Sequence, residues 1–510
     1  MRFGPTARAL TAAAGAALAY TIASPPYTAS WAAWIVPGLL LVPCRGLAPW
    51  RAALCGVVFA LLMGAGVTGW AFHASLEYFD FDRAVAAAFV ACVWLLYGGI
   101  PFGLLLAVYA RCSDRVPGAA RAPLAAWSWA AMEMLRTTLF TGMPWELLGH
   151  TQFRQLWLVQ IADLGGVYAI SFLVALASVA FAELVADVRR VPLEGSDLRR
   201  RLVPVTALFL ATCAYGAHAR ALYAGPGREP ALAVAIVQGN VPNAYRWKRA
   251  HVERTLSTYV SLTESTRKQV PDLVIWPENA VDFYLEREPL LRTQLARAAA
   301  LAPGGLLVGS PRLAAEGEAR NSAQLLGADG EIKAVYDKQR LVPFAESSLF
   351  PAHTADASEP VYGPGARAEP VATSVGRLGT MICYEVLFPW LVNDLVRHGA
   401  QVLVNLSNDS WLDAGDGAAP AQHFSMAVFR AIETRRDLVR AAGSGASGFI
   451  DAYGRIVATI PRNTAGALVG HIRLRDQLTP YVRWGEGWVL LFGVVIAVGV
   501  WQRPGARGDA

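Results

Sequence analysis

A cysteine, a glutamate and a lysine in the second half of the chain have the side chains and the settings that covalent acyl chemistry requires. Cys383 closes the strand-like run Gly379-Thr380-Met381-Ile382 and is followed by Tyr384, Glu385 and then Pro389, which opens a predicted helix. A thiol at such a turn is accessible and close to oriented backbone N–H groups, which favour the thiolate and can hold an oxyanion. A nucleophile also needs a base and a charge stabiliser. Glu278, in Trp276-Pro277-Glu278, and Lys338, in Tyr336-Asp337-Lys338, lie directly after strand-like runs and supply those two roles. The other five cysteines (Cys44, Cys55, Cys92, Cys112 and Cys213) lie in or beside apolar runs, so Cys383 has no disulfide partner in its own region. Composition alone would read a free cysteine as a small buried apolar residue, and its neighbours argue for a working thiol instead.

The elements that carry these residues follow from a composition of 54% hydrophobic and only 16% charged residues over 510 positions, far from the quarter charged of a soluble protein. Eight apolar runs are long enough to be spans: residues 9–24, 29–43, 52–71, 84–110, 123–140, 167–185, 202–219 and 487–501. Arginines separate the connections into two sets. Fourteen fall in one alternating set, and two (Arg83 and Arg154) in the other. The positive-inside rule then puts both termini in the cytoplasm and the long block between spans seven and eight on the outer face. The expected layout is a seven-helix transmembrane domain at 1–223, an extracytoplasmic catalytic domain at 224–486, and a last transmembrane helix with a short cytoplasmic tail at 487–510. Only four of the 45 basic residues are lysines, and no nucleic-acid-binding motif accompanies the arginines, so nucleic acid is excluded as a partner.

The outer block alternates strand-like and helical runs, the pattern of an α/β domain. Strands are expected at 231–238, 273–276, 305–309, 379–383 and 401–405, and helices at 248–268, 289–301, 389–398 and 422–436. No internal repeat is visible, and the stretch 343–364 is too long for a simple connector.

Glu278, Lys338 and Cys383, in this order and with these neighbours, resemble the Glu-Lys-Cys triad of the nitrilase (carbon-nitrogen hydrolase) superfamily. Within it the whole chain resembles the apolipoprotein N-acyltransferases. The matching motifs are Val237-Gln238-Gly239-Asn240-Val241-Pro242 with Trp247, Trp276-Pro277-Glu278, Leu341-Val342-Pro343-Phe344 ending at Glu346, Ile382-Cys383-Tyr384-Glu385, and Asn408-Asp409-Ser410-Trp411. Glu133 and Arg136 with Pro144-Trp145, and Thr479-Pro480-Tyr481 before the last span, fit as well.

The resemblance implies an αββα sandwich on the outer face of a bacterial inner membrane. It also implies two-step acyl transfer without cofactor or metal, from a glycerophospholipid to Cys383 and then to the α-amino group of a diacylglyceryl-cysteine on an apolipoprotein. A monomer is expected. Glu278 is then the base, and Lys338 with the N–H following Cys383 the oxyanion stabiliser. Glu346 and Glu385 are expected to hold these groups in place, Tyr384 and Trp247 to line the pocket, and Phe344, Phe350, Phe388, Trp390 and Trp411 to face lipid. His423 reads as core or as part of that apolar surface.

Arg340 stands where a histidine is usual in the family, and Gly443-Ser444-Gly445 where Asn-Thr-Gly is usual, which bears on the shape of the groove. Glu133 and Arg136, one helical turn apart, read as a structural pair inside a span rather than a headgroup site. The competing functions are a membrane-tethered amidase that gives its thioester to water, and a transporter or sensor carrying an inactive enzyme-like domain.

Overall fold

The computed structural model describes residues 4–188, 195–223, 231–242, 245, 247–315, 317–343, 345–346, 360–413, 415–491 and 493. Phe344, Phe350 and most of the expected last span lie outside the described residues. The chain divides into two compact units, one of Met1–Gly69, Ala88–His218 and Trp484–Ala510, the other of Trp70–Ala87 and Ala219–Arg483.

The helices of the first half, in chain order, are α1 (Pro5–Ala23), α2 (Val36–Leu41), α3 (Pro49–Val67), α4 (Trp70–Glu77), α5 (Arg83–Trp94), α6 (Ile100–Cys112), α7 (Gly118–Thr138), α8 (Ala162–Val188) and α9 (Gly195–Tyr223). Proline in the first turn starts α1 and α3, where its missing N–H would be unpaired anyway. Among the described residues, four helices are long and apolar enough to cross a bilayer: Pro49–Val67, Arg83–Cys112, Val159–Val188 and Gly195–Ala221. They answer to the third, fourth, sixth and seventh expected spans. The second expected span is a broken helix, Ser30–Cys44, interrupted at Pro37 and Pro43. The fifth folds as α7, whose apolar character is diluted by Glu133 and Arg136.

Those two residues attract each other electrostatically, but each takes its hydrogen bonds from other groups. Glu133 Oε1 accepts hydrogen bonds from Trp129 Nε1 at 2.9 Å and Leu148 N–H at 2.8 Å, while Arg136 Nε donates to the Tyr97 carbonyl at 2.8 Å. Elsewhere in this unit Arg45, from the connection before α3, Arg121 of α7 and Arg201 of α9 converge on Glu183 and Asp187.

The second unit contains two six-stranded sheets. Its strands are β1 (Ala231–Gln238), β2 (Leu273–Ile275), β3 (Leu306–Leu313), β4 (Ala319–Leu326), β5 (Ile332–Asp337), β6 (Val371–Thr373), β7 (Gly376–Ile382), β8 (Val402–Ser407), β9 (Leu438–Ala442), β10 (Ser447–Ile450), β11 (Ile456–Ile460) and β12 (Gly466–Arg473). Its longer helices are α10 (Arg249–Glu264), α11 (Pro289–Ala299), α12 (Pro389–Arg397) and α13 (Ala418–Thr434), and a short α14 (Pro480–Trp484) follows. The sheet orders are β12-β1-β2-β3-β4-β5 and β11-β10-β9-β8-β7-β6.

Both halves have the same plan. β1, β2 and β3 are parallel and linked through α10 and α11, then β4 and β5 add antiparallel. β7, β8 and β9 are parallel and linked through α12 and α13, then β10 and β11 add antiparallel. The repeat invisible in the sequence is thus present in the strand pairing. β1 packs against β9 and β4 against β7, with helices outside, giving the αββα layering. Leu256, Tyr259, Trp276, Leu295 and Val308 fill the first helix–sheet layer. All five expected strands and all four expected helices are present, with boundaries shifted by a few residues.

Residues 70–87, which take in the expected connection 72–83 and the adjoining ends of the third and fourth expected spans, belong to this second unit rather than to the first. Trp70 Nε1 donates to Gln422 Oε1 at 3.1 Å, and the rings of Tyr78 and Trp411 lie 5.3 Å apart.

Candidate active site

The motif residues gather at the carboxyl ends of the parallel strands, where open α/β sheets place their ligands. Trp276 anchors the first of these ends: its ring stacks on Tyr259 at 4.9 Å and its Nε1 donates to Thr263 Oγ1 at 2.9 Å. Pro277 then ends β2, and Glu278 follows, 6% exposed. This loop passes so close to Gly309 of β3 that a Cβ there would sit 2.3 Å from the Pro277 carbonyl oxygen, so only glycine fits.

Lys338 follows β5 and is 1% exposed, yet it is charged, because both of its nearest acceptors are carboxylates. Its Nζ donates to Glu278 Oε1 at 3.0 Å and to Glu346 Oε1 at 2.9 Å. Burial alone would lower its pKa, but Glu278 and Glu346 raise it well above the ordinary lysine value. Asn321 of β4 completes the cluster, its Nδ2 donating at 2.8 Å to the same oxygen of Glu278 and at 2.8 Å to Glu346 Oε1. Asn321 was not among the sequence candidates. Its surroundings, Arg320-Asn321-Ser322-Ala323-Gln324, are too polar to be read as a buried strand.

Cys383 directly follows β7 with a left-handed φ of 51°, a conformation that costs a side-chain-bearing residue about 1–2 kcal/mol. The turn after it is a short 3-10 segment, Cys383–Leu387, and α12 begins only at Pro389. The thiol is therefore not at the N-terminus of an α-helix, contrary to the expectation from sequence. Burial, and then the charge of Glu278, push its pKa up, with Lys338 opposing them, so the resting group is a thiol and not a thiolate. The expectation that the setting favours a thiolate left out this desolvation.

Glu385, fully buried, ties the Cys383 turn to the lysine loop. Its carboxylate accepts from Ile382 N–H at 2.7 Å, Gln339 N–H at 2.6 Å, Arg340 N–H at 3.2 Å and Tyr336 O–H at 2.9 Å. Burial pushes its pKa up to about 7, with the backbone N–H groups and Lys338 working against that shift.

Behind the nucleophile lies a buried network of His423, Asp409 and Arg440. His423 of α13 contacts the Cys383 carbonyl through Nε2 at 3.1 Å and Asp409 Oδ1 through Nδ1 at 3.0 Å. Arg440 of β9 donates from Nη2 to Asp409 Oδ2 at 2.7 Å. Burial alone would raise the Asp409 pKa, but Arg440 and His423 hold it well below the carboxylate range. Cys383, Asp409 and His423 bring ligand-type atoms within 4.8 Å of one another, yet the Arg440 guanidinium already occupies the place a cation would take.

The expected apolar cover divides. Phe388 is fully buried, at 0% exposure, directly after the 3-10 turn, so it does not face lipid. Phe388 packs edge-on to Tyr384 at 5.1 Å, and Trp390 is partly exposed. Arg340, at the position where the family pattern has histidine, lies over the Trp390 and Phe388 rings at 4.7 Å and 5.5 Å. Trp411 is partly exposed beside Tyr78. Trp247 has a positive φ of 59° and its backbone N–H is held by Asp282. A cleft of about 30 Å³ opens beside Glu278, lined by Asn279, Asp282, Asn408, Ser410, Gly443 and Ser444, so the departure at Gly443 borders the base.

The carbon-nitrogen hydrolase family model matches residues 233–477, and the apolipoprotein N-acyltransferase N-terminal domain model matches residues 16–180. An apolipoprotein N-acyltransferase of Geobacter metallireducens is 34% identical over 477 residues, spanning 91% of this chain and 89% of that protein. One from Pseudomonas putida is 31% identical over 484 residues, spanning 89% of this chain and 91% of that protein. A carbon-nitrogen hydrolase structure from Helicobacter pylori G27 aligns at 20% identity and a TM-score of 0.39, over 54% of this chain and 99% of that one. With an N-terminal helical domain and a carbon-nitrogen hydrolase domain each matched, and relatives aligned over nearly their full length, the chain belongs to the apolipoprotein N-acyltransferase family.

Proposed function

We propose that this enzyme moves an acyl chain from a glycerophospholipid, through a thioester on Cys383, to the α-amino group of a diacylglyceryl-cysteine at the N-terminus of an apolipoprotein. The observation that carries the chemistry is Lys338 bridging Glu278 and Glu346 beside a protonated Cys383. Both Lys338 and Asn321 bond Oε1 of Glu278, so Oε2 is the oxygen left to take the thiol proton as sulfur attacks the ester carbonyl. Proton and nucleophile move together, because a free thiolate is disfavoured at this buried position. The oxyanion faces the Lys338 ammonium and the Tyr384 N–H. When the tetrahedral adduct collapses, the C–O bond breaks and the Glu278 proton passes to the departing lysophospholipid oxygen. In the second half the amine attacks the thioester, Glu278 takes the amine proton, the C–S bond breaks and the proton returns to sulfur.

The topology that suits this chemistry has the catalytic domain, 224–486, on the outer face of the inner membrane, seven spans before it and one after. Two observations support it. Arg45, Arg121 and Arg201, all assigned to the cytoplasmic side, meet on Glu183 and Asp187. Residues 72–83, assigned to the outer side, pack within the catalytic unit.

The test is intact mass of purified protein after incubation with phospholipid alone. An acyl-sized increment, absent in Cys383→Ala and discharged by a diacylglyceryl peptide faster than by water, supports the proposal. An increment lost to water at the same rate with or without the peptide favours the amidase, and no increment removes the acyl-enzyme.

A further inference from the structure

The Cys383 carbonyl oxygen receives two side-chain donors, His423 Nε2 at 3.1 Å and Asn405 Nδ2 at 3.4 Å. Both lead back to one guanidinium. Arg440 is fully buried; its Nη1 donates to Asn405 Oδ1, and its Nη2 lies 2.7 Å from Asp409 Oδ2 and 3.1 Å from His423 Nδ1. Ser407 Oγ donates to Asp409 Oδ1 at 2.7 Å and closes the network. The proton on His423 Nε2 is assigned from this network: the Cys383 carbonyl can only accept, whereas Nδ1, though also 3.0 Å from Asp409 Oδ1, has a donor of its own in Arg440 Nη2.

A peptide group is planar and trans, so its C=O and N–H point in opposite directions. Whatever holds the Cys383 carbonyl therefore aims the Tyr384 N–H. The left-handed φ of 51° at Cys383 gives this peptide a reason to rotate, and a small rotation would turn the N–H away from the reacting carbon. Hydrogen bonds to the carbonyl also polarise the amide and strengthen its N–H as a donor. We propose that His423 and Asn405, both anchored by Arg440, are positioning residues that orient the Cys383–Tyr384 peptide as an oxyanion donor. The proposal rests on the reading that the reaction passes through a tetrahedral adduct on Cys383.

A probe pair separates this role from a purely structural one. Acylation by 4-nitrophenyl butyrate needs an oxyanion donor, and alkylation by iodoacetamide does not. In the full-length membrane protein, H423A should lose about 100-fold in the acylation rate constant, the scale of one oxyanion-hole donor, with KM within twofold and alkylation within threefold of the parent. H423Q, whose amide Nε2 can still donate to the carbonyl, should recover most of the loss. Parent-like acylation in H423A, equal losses of acylation and alkylation, or an H423Q no better than H423A overturns the proposal. If H423A does not accumulate, N405A gives the same reading, and a parent-like N405A overturns it. If the parent takes an acyl group from the ester but not from phospholipid, the functional reading fails while this one stands.

Discussion

Glu385, two residues beyond the nucleophile, accepts a 2.6 Å hydrogen bond from the backbone N–H of Gln339, one residue beyond the lysine. The contact joins the loop that carries Lys338 to the turn that carries Cys383. They are carried on separate sheets, so this buried carboxylate helps to fix their relative position.

Activity should rise with pH through about 7, because Glu385 must be ionised to accept all four of its donors and burial holds its pKa at about 7. Stability should move the other way. A folded pKa above the unfolded value gives a contribution that is full below about pH 4.5 and is lost as pH rises through about 7, on the order of 3 kcal/mol. In Glu385→Gln both pH dependences should vanish and activity should be lost, since an amide nitrogen would face two donors. Rate and melting temperature measured from pH 5 to 8 in both proteins check this; an unchanged pH–rate profile in the variant would sink it.

Glu278→Gln should alkylate faster than the parent at pH 7.5 and yet form no acyl-enzyme. Removing the carboxylate takes away one of the causes that raise the Cys383 pKa, so more thiolate is present. It also removes the only proton acceptor for the ester reaction. An iodoacetamide rate below the parent's would contradict the assigned electrostatics.

Lys338→Met should destabilise the protein by about 3–5 kcal/mol, because two buried carboxylates lose their shared cation. Lys338→Arg should fold better than this and still fail to turn over, since a planar fork cannot replace a compact ammonium between two oxygens. Denaturant melts together with acyl-enzyme formation separate the two effects, and turnover in Lys338→Arg would remove the lysine from its role.

Asn321→Ala should cost about 1–3 kcal/mol and slow acylation, as Glu278 and Glu346 each lose a buried donor. Asn321→Asp should be worse, with a third carboxylate facing the first two. If Asn321→Asp kept the parent's activity, Asn321 would have no part in holding the base.

Gly443→Asn should be accommodated, because a Cβ there meets nothing nearer than Asn408 Oδ1 at 3.5 Å. It should narrow the cleft beside Glu278 and change KM for the acceptor more than the rate of acyl-enzyme formation. Unchanged acceptor KM would show that the cleft does not receive the acceptor.

The parts of the fold legible in the sequence were those with an apolar signal. β1, β2, β3, β7 and β8 are buried runs between turn residues, and the helices that follow them are amphipathic. The seven other strands escaped notice for physical reasons. β4 carries Asn321, Ser322 and Gln324 in the interior, where their hydrogen bonds and not their hydrophobicity account for burial. β9 buries Arg440, which a periodicity argument assigns to solvent. β11 and much of β12 remain half in water. In the site, Glu278, Lys338 and Cys383 were visible through their flanking motifs, whereas Asn321 and Arg440 act from strand interiors and stand in no motif. His423 was noticed only as packing, because the carbonyl it reaches is forty residues away.

The twofold strand plan has a consequence for how the enzyme comes into being. The first repeat contributes Glu278 and Lys338, and the second contributes Cys383 and everything that holds its carbonyl. The last strand, β12, returns to flank β1, pairing Arg473 with Ala231, so the first sheet is finished only by nearly the last part of the domain to be synthesised. Such distant pairing is slow to form. A chain whose β12 has not yet paired with β1 should therefore hold Cys383 apart from Glu278 and Lys338, and competence should come late, when the two repeats close on each other.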